Sequence, residues 1–147
     1  MIPKTIHYCW FGGKPLPKSA EKCIKSWQKH LPEYRIMRWD ESNFDVNSIS
    51  YTQEAYAAKK YAFVSDYARF WILYHHGGVY FDTDVEVLKP IDDIVEAGNF
   101  LGVELQDATH ITVAPGLGLG AEKNNPLFKD LMEIYQSSHF LCSNGTV

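Results

Sequence analysis

The chain has 147 residues, the size of one ordinary domain, and a chain of that length buries roughly 70% of its unfolded surface, enough for one real core. Hydrophobic content of 46%, charged content of 22% and a net charge of −4 describe a soluble globular protein. The absence of a basic stripe excludes the usual nucleic-acid binder. The N-terminus has no apolar run of signal-peptide or membrane-spanning length. Cys9, Cys23 and Cys142 make an odd set without metal-ligand spacing, which reads as reduced thiols and sets a cytoplasmic expectation. Asn144-Gly145-Thr146 fits a glycosylation sequon, but without a secretory signal it carries no weight.

Residues 5–11, TIHYCWF, are β-branched and aromatic and then break at Gly12-Gly13, the pattern of a strand entering a loop. Ser19 is a suitable N-cap, and Ala20, Cys23, Ile24, Trp27 and Leu31 recur with helical spacing before Pro32 stops the run. YRIMRW, 34–39, reads as a second strand, so the chain opens β-α-β, the order of an α/β protein with parallel pairing. Residues 40–52 read as polar loop. A long helical pattern then runs from about Gln53 to His76, with Gly77 at a helix C-terminal position. A strand is expected over Val79–Val87, further short strands over 99–105 and 110–116, and a last helix from Pro126 with Leu127, Leu131, Ile134 and Tyr135 on one side.

The Val79–Val87 run is unusual because it carries Asp82, Asp84 and Glu86, and acidic residues are poor strand formers. Side chains two apart on a strand share a face. Tyr80, Asp82, Asp84 and Glu86 would therefore lie on one side, with Val79, Phe81, Thr83, Val85 and Val87 on an apolar other side. Two carboxylates about 7 Å apart repel each other unless a cation lies near them. Mg²⁺-like ions use one or two carboxylates together with substrate phosphates. Asp82-Thr83-Asp84 thus reads as a half-built metal site for a phosphorylated ligand; the bland alternative is a solvated strand face.

On the preceding helix Asp66 and Arg69 are three apart and share a face. An exposed pair of this kind contributes little, but these two lie among Tyr61, Phe63, Val64, Tyr67, Phe70, Trp71, Ile72, Leu73 and Tyr74. A charge pair in so apolar a helix needs partners or a cavity, and a cleft for a polar ligand provides both. His75 and His76 are adjacent rather than facing and suit a helix C-terminus more than a metal.

SDYARFWILYHHGGVYFDTDVEV, 65–87, is similar to the S-D-x-x-R … G-G-[IV]-Y-x-D-x-D signature of DXD sugar-nucleotide glycosyltransferases, in particular glycosyltransferase family 32. That family holds initiating mannosyltransferases and enzymes of capsule and lipopolysaccharide assembly, and the clostridial glucosylating toxins share its core signature. IPKTIHYCWFGG at the start and SWQKHLPEYRIMRWDE further on also resemble the family, so the likeness covers roughly residues 2–136. The resemblance implies a GT-A fold, a Rossmann-like α/β sandwich with a mixed, mostly parallel sheet and flanking helices. It implies a metal-dependent, retaining transfer of a hexose from a UDP- or GDP-sugar to a saccharide acceptor in surface polysaccharide synthesis, with Mn²⁺ or Mg²⁺. Residue by residue, Trp10 matches the aromatic that stacks on the base, and Asp66 and Arg69 the pair at the donor sugar and its phosphate side. Tyr80 matches a tyrosine lining the donor pocket, Asp82 the first DXD carboxylate, close to ribose, sugar and metal, and Asp84 the direct metal ligand. Asp82, Asp84 and Arg69 are the expected catalytic groups, offsetting charge on the leaving diphosphate. No transmembrane segment is implied, while peripheral attachment to a membrane is compatible.

The expectation is a single catalytic domain over 1–147 that lacks the C-terminal elements of longer family members. Such a chain has a rival reading as a truncated, non-catalytic nucleotide-sugar-binding domain. A haloacid-dehalogenase-type phosphohydrolase would want Thr where Glu86 stands and would carry its D-x-D near the start. A glycosidase would place its two carboxylates on opposite sides of a sugar rather than on one strand.

Overall fold

The computed structural model describes residues 1–141, so Cys142 and the Asn144-Gly145-Thr146 sequon lie outside the described residues. In chain order the elements are β1 (Thr5–Cys9), α1 (Lys18–His30), β2 (Arg35–Trp39), α2 (Ser50–Ala57), α3 (Tyr61–His76), β3 (Gly78–Tyr80), α4 (Asp92–Glu96), β4 (Phe100–Leu101), β5 (Val103–Leu105), β6 (Ile111–Val113), β7 (Leu119–Ala121) and α5 (Pro126–Gln136). A five-stranded mixed sheet has the order β2-β1-β3-β7-β4. β1 pairs in parallel with both β2 and β3, and β7 pairs antiparallel with β3 and β4. β5 and β6 form a separate two-stranded hairpin.

The alternation of side chains along a strand sorts the core into two layers. Ile6, Tyr8, Val79 and Phe81 meet Trp27 and Leu31 of the α1 region and Val95 of α4 on one side of the sheet. Cys9, Trp39, Tyr80, Leu119 and Ala121 meet α3 and α5 on the other, through Val64, Ala68, Ile72, Phe128 and Met132. This is the α/β sandwich of the GT-A expectation. The α1 stripe is as the spacing predicts, with Ala20 and Trp27 buried. Pro126 opens α5 as expected, and the Asn125 side chain accepts the Leu127 N–H to cap it.

Several boundaries differ from the sequence expectations. The α1 cap position is Pro17 rather than Ser19. The pattern from Gln53 to His76 is two helices, because Lys59 takes φ 59° and the Lys60 N–H donates to the Ala55 carbonyl, closing α2. On α5 the buried pair is Phe128 and Met132, while Leu127 and Ile134 are exposed. The strand expected over 99–105 is split into β4 and β5 at Gly102, whose N–H goes to Gly118 while its carbonyl accepts from Ala114, and the one expected over 110–116 is present as the shorter β6. β7, in the glycine-rich GLGLGA stretch, was not foreseen. The acidic strand ends at Tyr80, so Asp82, Asp84 and Glu86 do not share a strand face.

Candidate active site

The sheet order places β1 between β2 and β3, so the chain leaves β1 in one direction for β2 and returns on its other side as β3. In open α/β sheets ligands bind at such a switch point, beyond the carboxyl ends of the strands. A cavity of about 810 Å³ lies there, within the range that holds small ligands. Residues after β1 (Trp10, Phe11, Gly12, Lys14) form one part of its wall and residues after β3 (Asp82, Thr83, Asp84) another. Lys59, Tyr61, Ser65 and Asp66, from the α2–α3 junction and α3, also line it, and Cys9 and Tyr80 contribute from the strand ends.

Beyond Tyr80 the chain keeps one more bond to β1, then one to Gly116, and turns away from the sheet. The Phe81 N–H reaches the His7 carbonyl (3.2 Å), the Asp82 N–H donates to Gly116 (2.9 Å), and the Val85 N–H closes a turn onto the Asp82 carbonyl (3.2 Å). The turn carries Asp82 half-buried and Asp84 exposed, both on the cavity wall, while Glu86 is exposed and not part of it. The Tyr80 hydroxyl donates to Asp82 Oδ1 at 3.1 Å. Burial pushes the Asp82 carboxyl above its ordinary range; the Tyr80 hydrogen bond and the Arg69 charge pull it down, and the Asp84 charge pushes it up. A cation between the two carboxylates would relieve both the burial and the repulsion.

Arg69 and Asp66 are in contact, Nη2 to Oδ1 at 3.4 Å, with the Arg69 side chain only 11% exposed. Arg69 is not part of the cavity wall. Its guanidinium lies over the Phe70 ring (5.2 Å), and its buried Nε has no hydrogen-bond partner among the described residues. Asp66 is on the wall, and burial raises its carboxyl, with Arg69 opposing and Asp82 reinforcing the shift. The buried guanidinium, with an Nε–H still to be matched, favours an oxygen acceptor nearby, while the Asp66 and Asp82 carboxylates beside it oppose a bare anion.

Trp10 is half-buried at the cavity, and its indole N–H donates to the Lys14 carbonyl (2.7 Å), which ties back the loop that follows β1. Gly12, at φ +100°, lies so close to the Tyr61 ring that a Cβ would come within 2.5 Å of it. Its N–H donates to Glu41, which also accepts from the Tyr56 hydroxyl. The structure therefore brings Trp10, Asp66, Tyr80, Asp82 and Asp84 to one cavity and leaves Arg69 just outside its wall. Sequence reasoning missed Lys14, Lys59, Tyr61 and Ser65 as wall residues. The unusual Gly12-Gly13 pair was the available signal for the close approach at Tyr61.

For a divalent cation the test is the donor set. Asp82 and Asp84 present hard oxygen ligands to the cavity, the donor type a divalent cation takes, and the charge of Asp84 acts on Asp82 as one of two neighbouring carboxylates. Among the described residues no group of three His, Cys, Asp or Glu could hold an ion alone. That agrees with an ion completed by water and phosphate oxygens, so the residues fit.

Fold and site together define an α/β protein with a paired-carboxylate cavity at the switch point of its sheet. Residues 17–101 match the model of the family described as glycosyltransferase sugar-binding region containing DXD motif, and the chain belongs to that family. It is 29% identical over 111 residues to inositol phosphoceramide mannosyltransferase 1 of Schizosaccharomyces pombe, covering 68% of this chain and 33% of that one. It is 30% identical over 138 residues to an uncharacterized glycosyltransferase of Acanthamoeba polyphaga mimivirus, covering 87% of this chain and 53% of that one. It is 28% identical over 139 residues to the initiation-specific alpha-1,6-mannosyltransferase of Candida albicans, covering 88% and 35%. The chain thus spans about a third to a half of these relatives. Among solved structures it is similar in fold to the PaToxG glycosyltransferase, with a TM-score of 0.66, 21% identity, and coverage of 90% of this chain and 59% of that one.

Proposed function

We propose that this chain binds a nucleoside-diphosphate sugar in the switch-point cavity and transfers its hexose, with retention of configuration, to a saccharide acceptor in surface polysaccharide synthesis. The observation that carries the reading is the pair Asp82 and Asp84 on one wall of a cavity that also holds Lys14 and Lys59. Two carboxylates would repel a diphosphate, and two lysines would attract it; both together suit a diphosphate that arrives with a divalent cation. Asp82 and Asp84 would hold Mn²⁺ or Mg²⁺, which supplies charge neutralisation at the leaving diphosphate. Trp10 offers a ring edge and face for the base, on a loop already fixed by its bond to Lys14. Tyr80 holds Asp82 Oδ1 in place. Asp66, held by Arg69 at 3.4 Å, would accept hydrogen bonds from sugar hydroxyls. Arg69 contributes its positive field from behind the wall and opposes charge build-up without needing direct contact. The free thiols of Cys9 and Cys23 support a reducing, cytoplasmic setting.

The second reading is a donor-binding domain without transfer, which the same paired-carboxylate cavity would serve. A thermal-shift panel with UDP, GDP and their hexose conjugates, each with and without Mn²⁺, tests the shared part. Stabilisation that needs nucleotide and metal together is expected, about 2.7 kcal/mol at a hundredfold excess over Kd. No shift with any pair refutes both readings. A shift without sugar release to water or to any acceptor leaves the binding-domain reading.

A further inference from the structure

We infer that Gly116 is the positioning residue for Asp82, and that its missing side chain is what allows the metal-side carboxylate to take its place. The inference rests on the proposed donor site. The Asp82 carboxylate lies directly against the Gly116 Cα: a Cβ built there would stand 2.0 Å from Oδ2 and 2.8 Å from Cγ. No real Cβ approaches an oxygen so closely, so any other residue must displace the carboxylate or the loop. The same glycine receives the Asp82 backbone N–H on its carbonyl at 2.9 Å. Asp82 is therefore gripped at three points: its N–H by Gly116, its Oδ1 by the Tyr80 hydroxyl at 3.1 Å, and its Oδ2 edge by the bare Gly116 backbone.

Backbone freedom does not explain this glycine. Gly116 is not among the positive-φ glycines, which are Gly12, Gly13, Gly77, Gly78 and Gly98, so its backbone is open to any L-residue. What remains is space, and the occupant of that space is one carboxylate. Gly118, two residues on in the same segment, is the contrast: its Cβ would meet only ordinary contacts, the nearest being Phe81 at 3.4 Å. The segment that carries Gly116 is itself fixed, since the Ala114 N–H donates to Gly102 and the Leu117 N–H to Ala114. It follows β6 directly, so the hairpin and the carboxylate turn after β3 are mechanically joined at this residue.

The test compares Gly116→Ala, Gly118→Ala, Asp82→Ala and the double variant Asp82→Ala/Gly116→Ala. The readouts are thermal stability without ligand and the Mn²⁺ concentration that gives half of the nucleotide-dependent stabilisation with UDP or GDP. Displacing a group that orients a metal ligand typically costs 10–100-fold in metal affinity. Gly116→Ala is expected to raise the Mn²⁺ midpoint about tenfold or more, while Gly118→Ala leaves it within about twofold. On the Asp82→Ala background the added alanine should cost no stability, because the atoms it would strike are gone; a general packing role would instead give additive losses. If Gly116→Ala alone fails to fold, the double variant should fold like Asp82→Ala. A wild-type Mn²⁺ midpoint retained by Gly116→Ala overturns this inference alone, as does a double variant that loses stability additively. If the unchanged protein shows no metal-dependent nucleotide shift, the donor-site reading falls and takes this inference with it.

Discussion

His7 should make the protein lose stability between pH 7 and pH 5, and the size of the loss can be worked from its surroundings. The residue is 1% exposed, in the middle of β1 where that strand is paired on both sides. Its Nδ1 accepts the Trp39 indole N–H at 3.0 Å, so the ring proton is on Nε2, which donates to the Gly77 carbonyl at 2.9 Å. A second proton would have to sit on Nδ1, facing a donor. Burial is the main cause that lowers the imidazole to about 4; the Gly77 carbonyl works against it, and the His76 and Arg35 charges add to it. The unfolded value is about 6.5. Because the folded value is the lower one, the stability is complete above about 6.5 and drains away as pH falls towards 4. The full loss is about 3 kcal/mol, of which about 2 kcal/mol falls between pH 7.5 and pH 5.0. For a chain of this length that is about 4–8 °C in Tm. His75 and His76 are also lowered, mainly by burial, so they add to the loss in the same direction as pH falls. The assay is therefore urea unfolding of the wild type and of His7→Gln, whose amide can still donate and accept. The difference between the two should shrink by about 2 kcal/mol from pH 7.5 to 5.0. A difference independent of pH would refute the reasoning.

Asp84→Asn should leave ligand-free stability within about 0.5 kcal/mol, since Asp84 is exposed and has no packing role. It should abolish the metal-dependent part of nucleotide stabilisation; a variant that keeps it would show that Asp84 is not a cation ligand. Burial pushes the Cys9 thiol up to about 12, and the side chain is 6% exposed, so it should resist brief iodoacetamide labelling at pH 8 although it lies at the donor cavity. Peptide mapping that finds Cys9 alkylated as fast as the half-buried Cys23 in the native protein would contradict that burial.

The β1-α1-β2 opening, the Gly77 stop and the Pro126 start were legible because each rests on a local signal: alternation, helical spacing, a left-handed terminus, a proline at a first turn. The misses have non-local causes. Lys59 breaks the long helix in a left-handed conformation without a glycine or proline to announce it. β7 consists of Leu119, Gly120 and Ala121, and two of the three, Gly and Ala, are poor strand formers. Gly120 is required there because a Cβ would come within 2.1 Å of the Phe100 ring, a contact made only when β4 pairs with β7. Local preference cannot report such a pairing. The site divides in the same way. The residues that carry charge or an aromatic ring could be picked from the chain, while Lys14, Lys59 and Gly116 matter only through neighbours distant in sequence.

The question of why a strand should carry Asp82, Asp84 and Glu86 has a structural answer: it does not. β3 ends at Tyr80, and the acids follow in a turn. The expected alternation nevertheless placed Tyr80 and Asp82 on the cavity side and Val79 and Phe81 in the opposite core, and both assignments hold. The reason is that the backbone stays extended for two residues beyond the ladder, with the Phe81 N–H on His7 and the Asp82 N–H on Gly116. Period two therefore survives as far as the first carboxylate and fails after it, where the Val85 N–H turns back onto Asp82. Had the strand continued, Asp84 and Glu86 would have faced the same side as Asp82 and extended the repulsion along a rigid row. By turning, the chain keeps Asp82 and Asp84 on one cavity wall and leaves Glu86 in solvent. Two carboxylates near one point, not three along a line, are what a divalent cation with phosphate ligands can use.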